Sequence, residues 1–470
     1  VAFSLPPSYY LDRERKTNLM LKDPKLIEES LARVKDKLIT VEEALALVKS
    51  GDQIVTGLGA SEGKAFCSKL HTIADRVHDV TVNNCLPMDT YEFLMNPEYR
   101  HSFNLAGWFY AAGIRKAHKW GTCSFIPNNL HFAGQKRFDH IHVNIYVGLA
   151  SMPDEHGYVS LSLGNTYEKE ACEVADIVIL EINPKAPRCF GDVQVHISEV
   201  DHFIYADYDI PVIPDADPNE KDKQIASYIL PFVKDGSCIQ LGIGGIPNAV
   251  ATQLYSKKNL GVHTEMLTSE MCKLAKAGVI NGKCKQQNKG QIAATFAMGT
   301  QELYDFVDNN PGVVFNRGSW TNDPYVIGVN DNQISINTTL EVDVTGQCCS
   351  ESIGSTQFSG SGGQSDTVIG SQISKGGHSI IALYSTAMVK NPATGEREEI
   401  SKIVTQLKPG ATVSTSRNDV EYLVTEYGIV NLKGTTIAER VEKIISIAHP
   451  KFRDQLWKEA YDLGIVVKKD

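Results

Sequence analysis

The sequence predicts an α/β protein of two related open domains with mostly parallel sheets and an active site in the cleft between them. Three observations predict this class. The chain has 470 residues, which is too long for one ordinary hydrophobic core. Short runs rich in β-branched residues alternate with helical stretches, as in parallel α/β folds. Finally, a thirteen-residue segment near the start recurs in the second half.

The first predicted elements are a helix and the strand that follows it. Thr40 is a candidate N-cap, and Glu43, three residues on, completes a capping-box pattern. The helix is predicted to run to about Lys49, and the Ser-Gly-Asp sequence after it ends the helix. Further segments follow the same alternation, with strands at 53–56, 80–82, 141–147 and 177–180 and a helix at 167–175.

The internal repeat aligns residues 48–60 with residues 233–245 without a gap, and six of the thirteen positions are identical. Each copy reads as the end of a helix, a glycine stop, a short apolar strand and a Gly-x-Gly turn, which favours two related domains. The polar, proline-rich stretch 213–223 is the predicted linker. These boundaries give an N-terminal extension at 1–36, a first domain at 37–215 and a second domain at 222–470.

The composition excludes several classes of function. Hydrophobic residues make up 42% of the chain and charged residues 22%, as in globular proteins. No apolar run approaches the roughly 20 residues of a membrane span, and residues 1–36 lack the apolar core of a secretory signal. The net charge of −10 disfavours nucleic acid as a partner. The ten cysteines form no CxxC pair and no zinc-site spacing, so we expect no metal site and a reducing, cytoplasmic setting.

The two glycine turns at 57–62 and 242–247 each follow a predicted strand and precede a helix. This is where α/β proteins place anion-binding sites. Neither turn is a full dinucleotide fingerprint, because Glu62 and Pro247 stand where the third glycine belongs. Without a ligand, the same glycines would serve only as tight strand-to-helix connections.

Pro247 suits the first turn of a predicted helix at 248–255, because that position needs no N–H donor. The N–H groups of Gly244, Gly245 and Ile246 then face outward. Such a nest of amides can hold a phosphate or a developing oxyanion.

Glu265 stands near the carboxyl end of a predicted short strand over 260–267, the end that faces the ligand crevice in a parallel sheet. A carboxylate among apolar neighbours is costly to bury without a partner or a purpose. A salt-bridged or capping role is one explanation. His263, two residues earlier on the same strand face, is either its partner or an ordinary core histidine.

A buried carboxylate can also act as a nucleophile toward an activated acyl group. The resulting mixed anhydride keeps the acyl group activated, so transfer to a second acceptor needs no ATP. Each step forms an oxyanion, and a glycine-rich amide nest near Glu265 would stabilise it.

A set of motifs in the second half carries a family resemblance. They include Gln-Leu-Gly-Ile-Gly-Gly-Ile-Pro-Asn-Ala-Val (240–250), Gly-Val-His-Thr-Glu-Met (261–266), Thr-Phe-Ala-Met-Gly-Thr (295–300), Ser-Gly-Ser-Gly-Gly-Gln (359–364) and Val-Thr-Glu-Tyr-Gly (424–428). With these motifs the chain resembles family I CoA-transferases, in the branch of 4-hydroxybutyrate CoA-transferase and butyryl-CoA:acetate CoA-transferase. The resemblance covers nearly all of the chain from about Leu38 and is strongest from Gln240 onward.

The resemblance implies that Glu265 carries a covalent CoA thioester. CoA is then substrate and covalent intermediate, with no tightly bound cofactor. The family commonly has a Gly-Lys before the strand at 379–381, where this chain has Gly377-His378; Lys375 could supply the missing phosphate contact. A homodimer or homotetramer is also expected by resemblance. The resemblance implies CoA contacts at Gly242, Ile243, Gly244, Gly245, Ile246, Leu340 and Gly363, and Lys375 is added to them as the substitute phosphate contact.

The function that follows is transfer of CoA from a short-chain acyl-CoA to a free carboxylate such as acetate. The expected acyl groups are butyryl, 4-hydroxybutyryl, propionyl and acetyl. An acyl-CoA (acetyl-CoA) hydrolase that uses the same glutamate is the alternative. A nicotinamide-dependent oxidoreductase is disfavoured by the missing third glycines, and a non-catalytic CoA-binding regulator would not need Glu265.

Overall fold

The computed structural model of the chain describes residues 23–391 and 394–467, and it divides into two compact units. Of the described residues, the first unit contains 23–126 together with Phe132–Pro214 and Ala293–Ser319. The second contains Pro127–His131, Asp215–Ile292 and the described residues from Trp320 onward. Each unit therefore includes a segment from the other half of the sequence, an exchange that the sequence analysis did not predict. Most of the predicted extension at 1–36 lies outside the described residues.

Most helices are short, and among the described residues none has both the length and the apolar composition that crossing a membrane requires. The helices are α1 (Pro24–Val34), α2 (Val41–Ala46), α3 (Lys64–Lys69), α4 (Glu92–Met95), α5 (Ala112–Ala117), α6 (Ala133–Phe138), α7 (Glu168–Val174), α8 (Glu220–Ile229), α9 (Gly245–Gln253), α10 (Ser269–Lys276), α11 (Gln301–Val307), α12 (Gly318–Thr321), α13 (Pro324–Gly328), α14 (Gln364–Ile373), α15 (Ile437–Ser446) and α16 (Pro450–Asp462).

The strands alternate with these helices along most of the chain. They are β1 (Gln53–Thr56), β2 (Val80–Cys85), β3 (Phe103–Phe109), β4 (Cys123–Phe125), β5 (Ile145–Ala150), β6 (Tyr158–Ser160), β7 (Ile177–Ile182), β8 (Phe190–Gly191), β9 (Gln194–His196), β10 (His202–Tyr205), β11 (Cys238–Leu241), β12 (Gly261–Val262), β13 (Met266–Leu267), β14 (Ile292–Ala294), β15 (Phe296–Ala297), β16 (Val313–Phe315), β17 (Gln333–Thr338), β18 (Glu341–Asp343), β19 (Cys348–Cys349), β20 (Ser352–Ile353), β21 (Thr356–Gln357), β22 (His378–Ala382), β23 (Thr386–Lys390), β24 (Arg397–Ser401), β25 (Ile403–Val404), β26 (Tyr422–Thr425) and β27 (Gly428–Asn431).

The first unit is built on a seven-stranded sheet in the order β10-β7-β5-β1-β2-β3-β4. All its pairings are parallel. Parallel sheets are covered on both faces, so their strands read as continuous apolar runs, and β5 is buried along its whole length. The core of the unit includes Ile54, Phe66, Val82 and Ile145.

The second unit is built on a six-stranded sheet in the order β12-β11-β17-β22-β26-β27. Its first five strands run parallel, and β27 returns antiparallel to β26. The core includes Val342, Ile381, Leu423 and Ile444. Because the carboxyl ends of parallel strands meet at one edge, the segments that follow β11, β12 and β17 lie at the same edge of this sheet. The two sheets confirm the predicted α/β class with mostly parallel pairing.

The internal repeat corresponds to equivalent strands, because β1 and β11 occupy the same positions of the aligned segments. The glycine before each strand has a positive φ, +82° at Gly51 and +79° at Gly236. The second glycine of each turn does too, with +55° at Gly59 and +111° at Gly244. L-residues with side chains seldom adopt such angles. Four of the repeat's glycines therefore stand where the backbone requires them.

The predicted capping box is confirmed, and the helix that it opens ends at Ala46 rather than at about Lys49. Thr40 Oγ1 accepts from the Glu43 N–H at 3.1 Å, and a Glu43 carboxylate oxygen accepts from the Thr40 N–H at 2.8 Å. The strand predicted at 141–147 begins only at Ile145. Asn144, just before it, uses its side-chain oxygen to accept from the Gln53 N–H at 2.9 Å, so a polar contact precedes the start of the ladder.

Candidate active site

Glu265 lies in a bend between β12 and β13, not inside a strand. The continuous strand predicted over 260–267 is therefore wrong, because Thr264 and Glu265 interrupt it. β12 pairs in parallel with β11, with Gly261 opposite Cys238. Glu265 thus follows β12 at the edge of the sheet where Gly242 follows β11, and the carboxylate and the glycine turn share that edge.

One carboxylate oxygen of Glu265 is engaged by two donors. The Gly363 N–H donates to Oε2 at 2.7 Å, and Asn322 Nδ2 donates to the same atom at 3.4 Å. A Cβ at position 363 would overlap both Glu265 Oε2 and Asn322 Nδ2. Glycine is therefore required there for the backbone to approach the carboxylate.

The surroundings of Glu265 favour its protonated form. Desolvation raises the pKa of this carboxyl group to about 7, and the nearby charge of Asp366 adds to the rise. The hydrogen bonds from Gly363 and Asn322 act in the opposite direction. The side chain is only partly buried, so a ligand can reach a carboxylate that water solvates poorly.

Asp366 lies in the first turn of α14, three residues after Gly363, and is almost fully buried. His131 holds both of its oxygens, through the backbone N–H to Oδ2 at 3.1 Å and through Nδ1 to Oδ1 at 2.7 Å. Ser361 Oγ donates to the Asn128 carbonyl at 2.7 Å. The segment Pro127–His131 is therefore bonded to the loop that presents the Gly363 N–H to Glu265.

His263 does not pair with Glu265 as one of the sequence interpretations proposed. Its Nε2 lies 2.7 Å from the Thr321 carbonyl oxygen, and its ring is buried beside Trp320. Desolvation, with a smaller effect from the charge of Lys285, lowers the pKa of His263 to about 4. A neutral imidazole donating to a carbonyl is a structural role, which agrees with the alternative of an ordinary core histidine.

The predicted anion-binding turn, Gly242–Ile246, joins β11 to α9. The helix begins at Gly245 rather than at the predicted residue 248. Gly244 has a φ of +111° and precedes the helix as its N-cap. The first N–H groups of a helix have no partner within it, so the helix itself does not bond the amides of Gly245 and Ile246. Ile243 is half exposed.

The remaining predicted CoA contacts fall at two different edges of the sheet. Leu340 follows β17, at the edge that holds Glu265 and the Gly242–Ile246 turn, and Gly363 donates to Glu265 directly. Lys375 is exposed and precedes β22, at the opposite edge. Helix α14 separates Gly363 from Lys375, about 15 Å for ten residues. Only an extended ligand could contact both.

Two family models match the chain. The acetyl-CoA hydrolase/transferase N-terminal domain matches residues 28–214, and the acetyl-CoA hydrolase/transferase C-terminal domain matches residues 299–460. The chain belongs to the acetyl-CoA hydrolase/transferase family. As a member, it is an enzyme of the CoA-transferase type, which confirms the resemblance seen in the sequence.

Similar proteins cover almost the whole enzyme. The succinyl-CoA:cyclohexane-1-carboxylate CoA transferase of Geobacter metallireducens is 41% identical over 91% of this chain and 95% of its own length. The 4-hydroxybutyrate coenzyme A transferase of Clostridium kluyveri is 38% identical over 90% of this chain and 97% of its own. The crystal structure of RipA from Yersinia pestis is similar, with a TM-score of 0.86, 34% identity and coverage of 93% and 100%.

Sequence reasoning missed three residues of the candidate site, Asn322, Asp366 and His131. Asp366 follows the second glycine cluster, so its position next to a functional loop was a usable signal. Asn322 and His131 stand in no recognisable local pattern, and each is more than fifty residues from Glu265. Their contacts depend on tertiary structure alone.

The first unit of the enzyme holds another buried carboxyl group, Glu62, immediately after its own glycine turn. It accepts hydrogen bonds from Asn84 Nδ2 at 2.8 Å, the Met88 N–H at 3.1 Å and the Tyr91 hydroxyl at 3.1 Å. Desolvation nevertheless raises the pKa of Glu62 to about 8. The corresponding position of the second turn is Pro247, so the two turns differ in the chemistry that they carry.

Proposed function

We propose that Glu265 is the nucleophile of a CoA transfer from a short-chain acyl-CoA to a free carboxylate. The expected acyl groups are butyryl, 4-hydroxybutyryl, propionyl and acetyl, and acetate is the expected acceptor. One observation carries the proposal: the partly buried Glu265 carboxylate receives the Gly363 N–H at the edge of the sheet that holds the Gly242–Ile246 turn.

The two carboxylate oxygens of Glu265 have different roles in the proposed reaction. Oε2 is held by Gly363 and Asn322, so Oε1 is the atom that attacks the acyl carbonyl carbon. The carbon–sulfur bond breaks, CoA leaves as a thiolate, and an acyl-glutamyl anhydride remains. The same thiolate then attacks the glutamyl carbon and expels the original carboxylate, which leaves a glutamyl-CoA thioester. A second carboxylate reverses both steps.

The hydrogen bonds on Oε2 matter most when the thiolate attacks the glutamyl carbon. Negative charge then develops on Oε2, and the Gly363 N–H is already directed at it. A donor in place before the reaction stabilises the transition state without reorganisation. The amides of the Gly242–Ile246 turn are the candidates for stabilising the oxyanion of the acyl group.

The remaining CoA contacts in the proposal are Leu340 and Lys375. Support for Leu340 is its position after β17, at the edge of Glu265. Lys375 contacts a phosphate of the same CoA only if the molecule extends along α14.

We further propose a cytoplasmic homodimer or homotetramer that needs no metal or tightly bound cofactor. This rests on family resemblance and composition, and light scattering after gel filtration tests the oligomeric state.

The first experiment compares the wild type with Glu265→Gln. Butyryl-CoA is supplied with and without acetate, CoA species are followed by mass spectrometry, and the intact protein is weighed. We expect acetyl-CoA only with acetate, and a wild-type adduct of one CoA less one water that maps to Glu265. E265Q should lose at least about a thousandfold in kcat, as when a nucleophile is removed.

Glu421→Gln is the matched control. Glu421 is a buried carboxylate of the same unit that binds the Ser379 N–H at the opposite edge of the sheet, so this variant should keep its transfer activity. Activity retained by E265Q would refute the nucleophile. Free CoA accumulating at the same rate without acetate would instead identify the hydrolase.

A further inference from the structure

Besides desolvation, Asp366 is the charged group that raises the pKa of Glu265, although no hydrogen bond is seen between the two side chains. Asp366 is 1% exposed and lies in the helical turn that begins after Gly363, the residue bonded to Glu265. His131 fixes both oxygens of Asp366. Because an ionised carboxylate only accepts hydrogen bonds, Nδ1 of His131 carries the proton of this contact, and a neutral imidazole is sufficient for it.

The charge of Asp366 affects the free energies of two states of the proposed reaction differently. In the free enzyme above about pH 7, Glu265 is a carboxylate, and it is repelled by Asp366 in a poorly solvated site. In the covalent intermediate, the same side chain is a neutral thioester, and the repulsion is gone. A fixed negative charge therefore raises the free energy of the first state more than that of the second.

We infer that Asp366, held in place by His131, is a positioning residue that favours capture of CoA on Glu265 by destabilising the free carboxylate relative to the thioester. The inference rests on the proposed function, because it requires a thioester on Glu265. In this role the charge of Asp366 sets the ratio of CoA-loaded to free enzyme. The stabilisation of oxyanions is a separate role that belongs to other groups.

The direction of the effect follows from the titration of Glu265. Asp366 is the second cause of the raised pKa of this group, after desolvation. Protonation and thioester formation both remove the charge, so they relieve the same repulsion, and the bias is toward the thioester. An effect of about one pKa unit would correspond to about a tenfold change in the ratio of the two states.

The test measures an equilibrium rather than a rate. Wild type and variants are incubated with acetyl-CoA and acetate at one fixed ratio, at about pH 8, where Glu265 is ionised. The equilibrium is reached once from free enzyme and once from CoA-loaded enzyme. Intact mass spectrometry then gives the ratio of CoA-loaded to free protein. A variant that only slows the chemistry reaches the wild-type ratio in the end, whereas removal of the charge changes the ratio.

We expect Asp366→Asn to lower the loaded-to-free ratio about tenfold. His131 can still bond the new amide, because its neutral ring can accept at Nδ1 once the proton moves to Nε2. Asp366→Glu keeps the charge and should recover part of the loss. His131→Asn releases one oxygen of Asp366 and should lower the ratio about threefold, as one hydrogen bond allows.

Asp343→Asn is the control. Asp343 is a buried carboxylate of the same unit, bonded to Thr345 and Gln347, and its loss should leave the ratio unchanged. A wild-type ratio in D366N would overturn the inference; if D366N does not fold, an unchanged ratio in H131N overturns it. Absence of any thioester in the wild type would instead overturn the proposed function.

Discussion

At the scale of single residues, Glu265 combines two properties that oppose each other. Donation from Gly363 and Asn322 favours its ionised form, while desolvation and Asp366 favour its protonated form. Desolvation and the charge of Asp366 outweigh the two hydrogen bonds, so the pKa of Glu265 is raised. A carboxylate that is weakly stabilised is a better nucleophile, since nucleophilicity rises with pKa, but it is lost to protonation at a higher pH.

We therefore predict an acid limb in the pH profile of the enzyme. Because the pKa of Glu265 is raised to about 7 and only the ionised form attacks, kcat/KM for the acyl-CoA should fall about tenfold per pH unit below that value. The measurement is initial rates between about pH 5.5 and 9. E421Q should show the same profile, and a wild-type profile that stays flat down to pH 5.5 would contradict the assignment.

At the scale of elements, the residue that precedes α14 has two functions. Gly363 caps the helix, and its N–H donates to Glu265. Gly363 is the N-cap of this helix, with a φ of −94° that any residue can adopt. Its need for glycine comes from the close approach to Glu265 and Asn322 and not from the backbone angle. Stability and catalysis can therefore be separated at this position.

Gly363→Ala should reduce kcat/KM about a hundredfold, because the added methyl group overlaps Glu265 Oε2 and shifts the reacting carboxylate from its position. The melting temperature should change little, since the backbone angle suits alanine. Gly113→Ala, inside α5 of the first unit, is the control; its added Cβ would lie 3.1 Å from a methyl carbon of Thr90, and activity should be kept. Equal losses of activity in the two variants would argue against the close approach as the cause.

Regular elements were the most predictable part of the enzyme. The repeat located β1 and β11 residue for residue, because a glycine stop, an apolar run and a Gly-x-Gly turn are all local signals. The bend at Glu265 was not predictable, because Leu260 to Leu267 alternate as a strand does. At this bend Glu265 bonds to Gly363 and Asn322, which lie far along the chain and leave no local signal in the sequence.

The site was predictable to a similar extent. Family resemblance supplied Glu265, the Gly242–Ile246 turn and Gly363, and the structure shows Glu265 and Gly363 bonded to each other. The roles of these residues stay predictions until the experiments above are done. His131 could not have been found, since nothing in residues 127–131 distinguishes them from the first unit in which their neighbours fold.

At the scale of the whole molecule, buried carboxyl groups link stability to pH. Burial raises the pKa of Glu62 to about 8 and that of Glu181 to about 7. Between the ordinary carboxyl range and these values, the folded protein keeps protons that the unfolded chain releases. Their contribution to stability is therefore greatest at low pH and is lost as the pH rises toward 8.

Glu62→Gln isolates one of these groups, because the amide cannot ionise. The substitution also changes the hydrogen bonds of this side chain and hence the absolute stability. The informative quantity is therefore the melting-temperature difference, variant minus wild type. That difference should grow more positive between about pH 5.5 and 8.5, and differential scanning calorimetry measures it. A constant difference over this range would show that Glu62 is ionised throughout.

The exchange of segments between the units has a consequence for the order in which the enzyme is made. Strand β16, at 313–315, pairs with β8 inside the first unit, so that unit lacks one of its strands until residue 315 has left the ribosome. By then the chain of β11 and β12 has already been synthesised. Domains usually complete in order from the N-terminus. Here the first unit is complete only after β16 has been synthesised, and a fragment that ends at Pro214 would lack this strand.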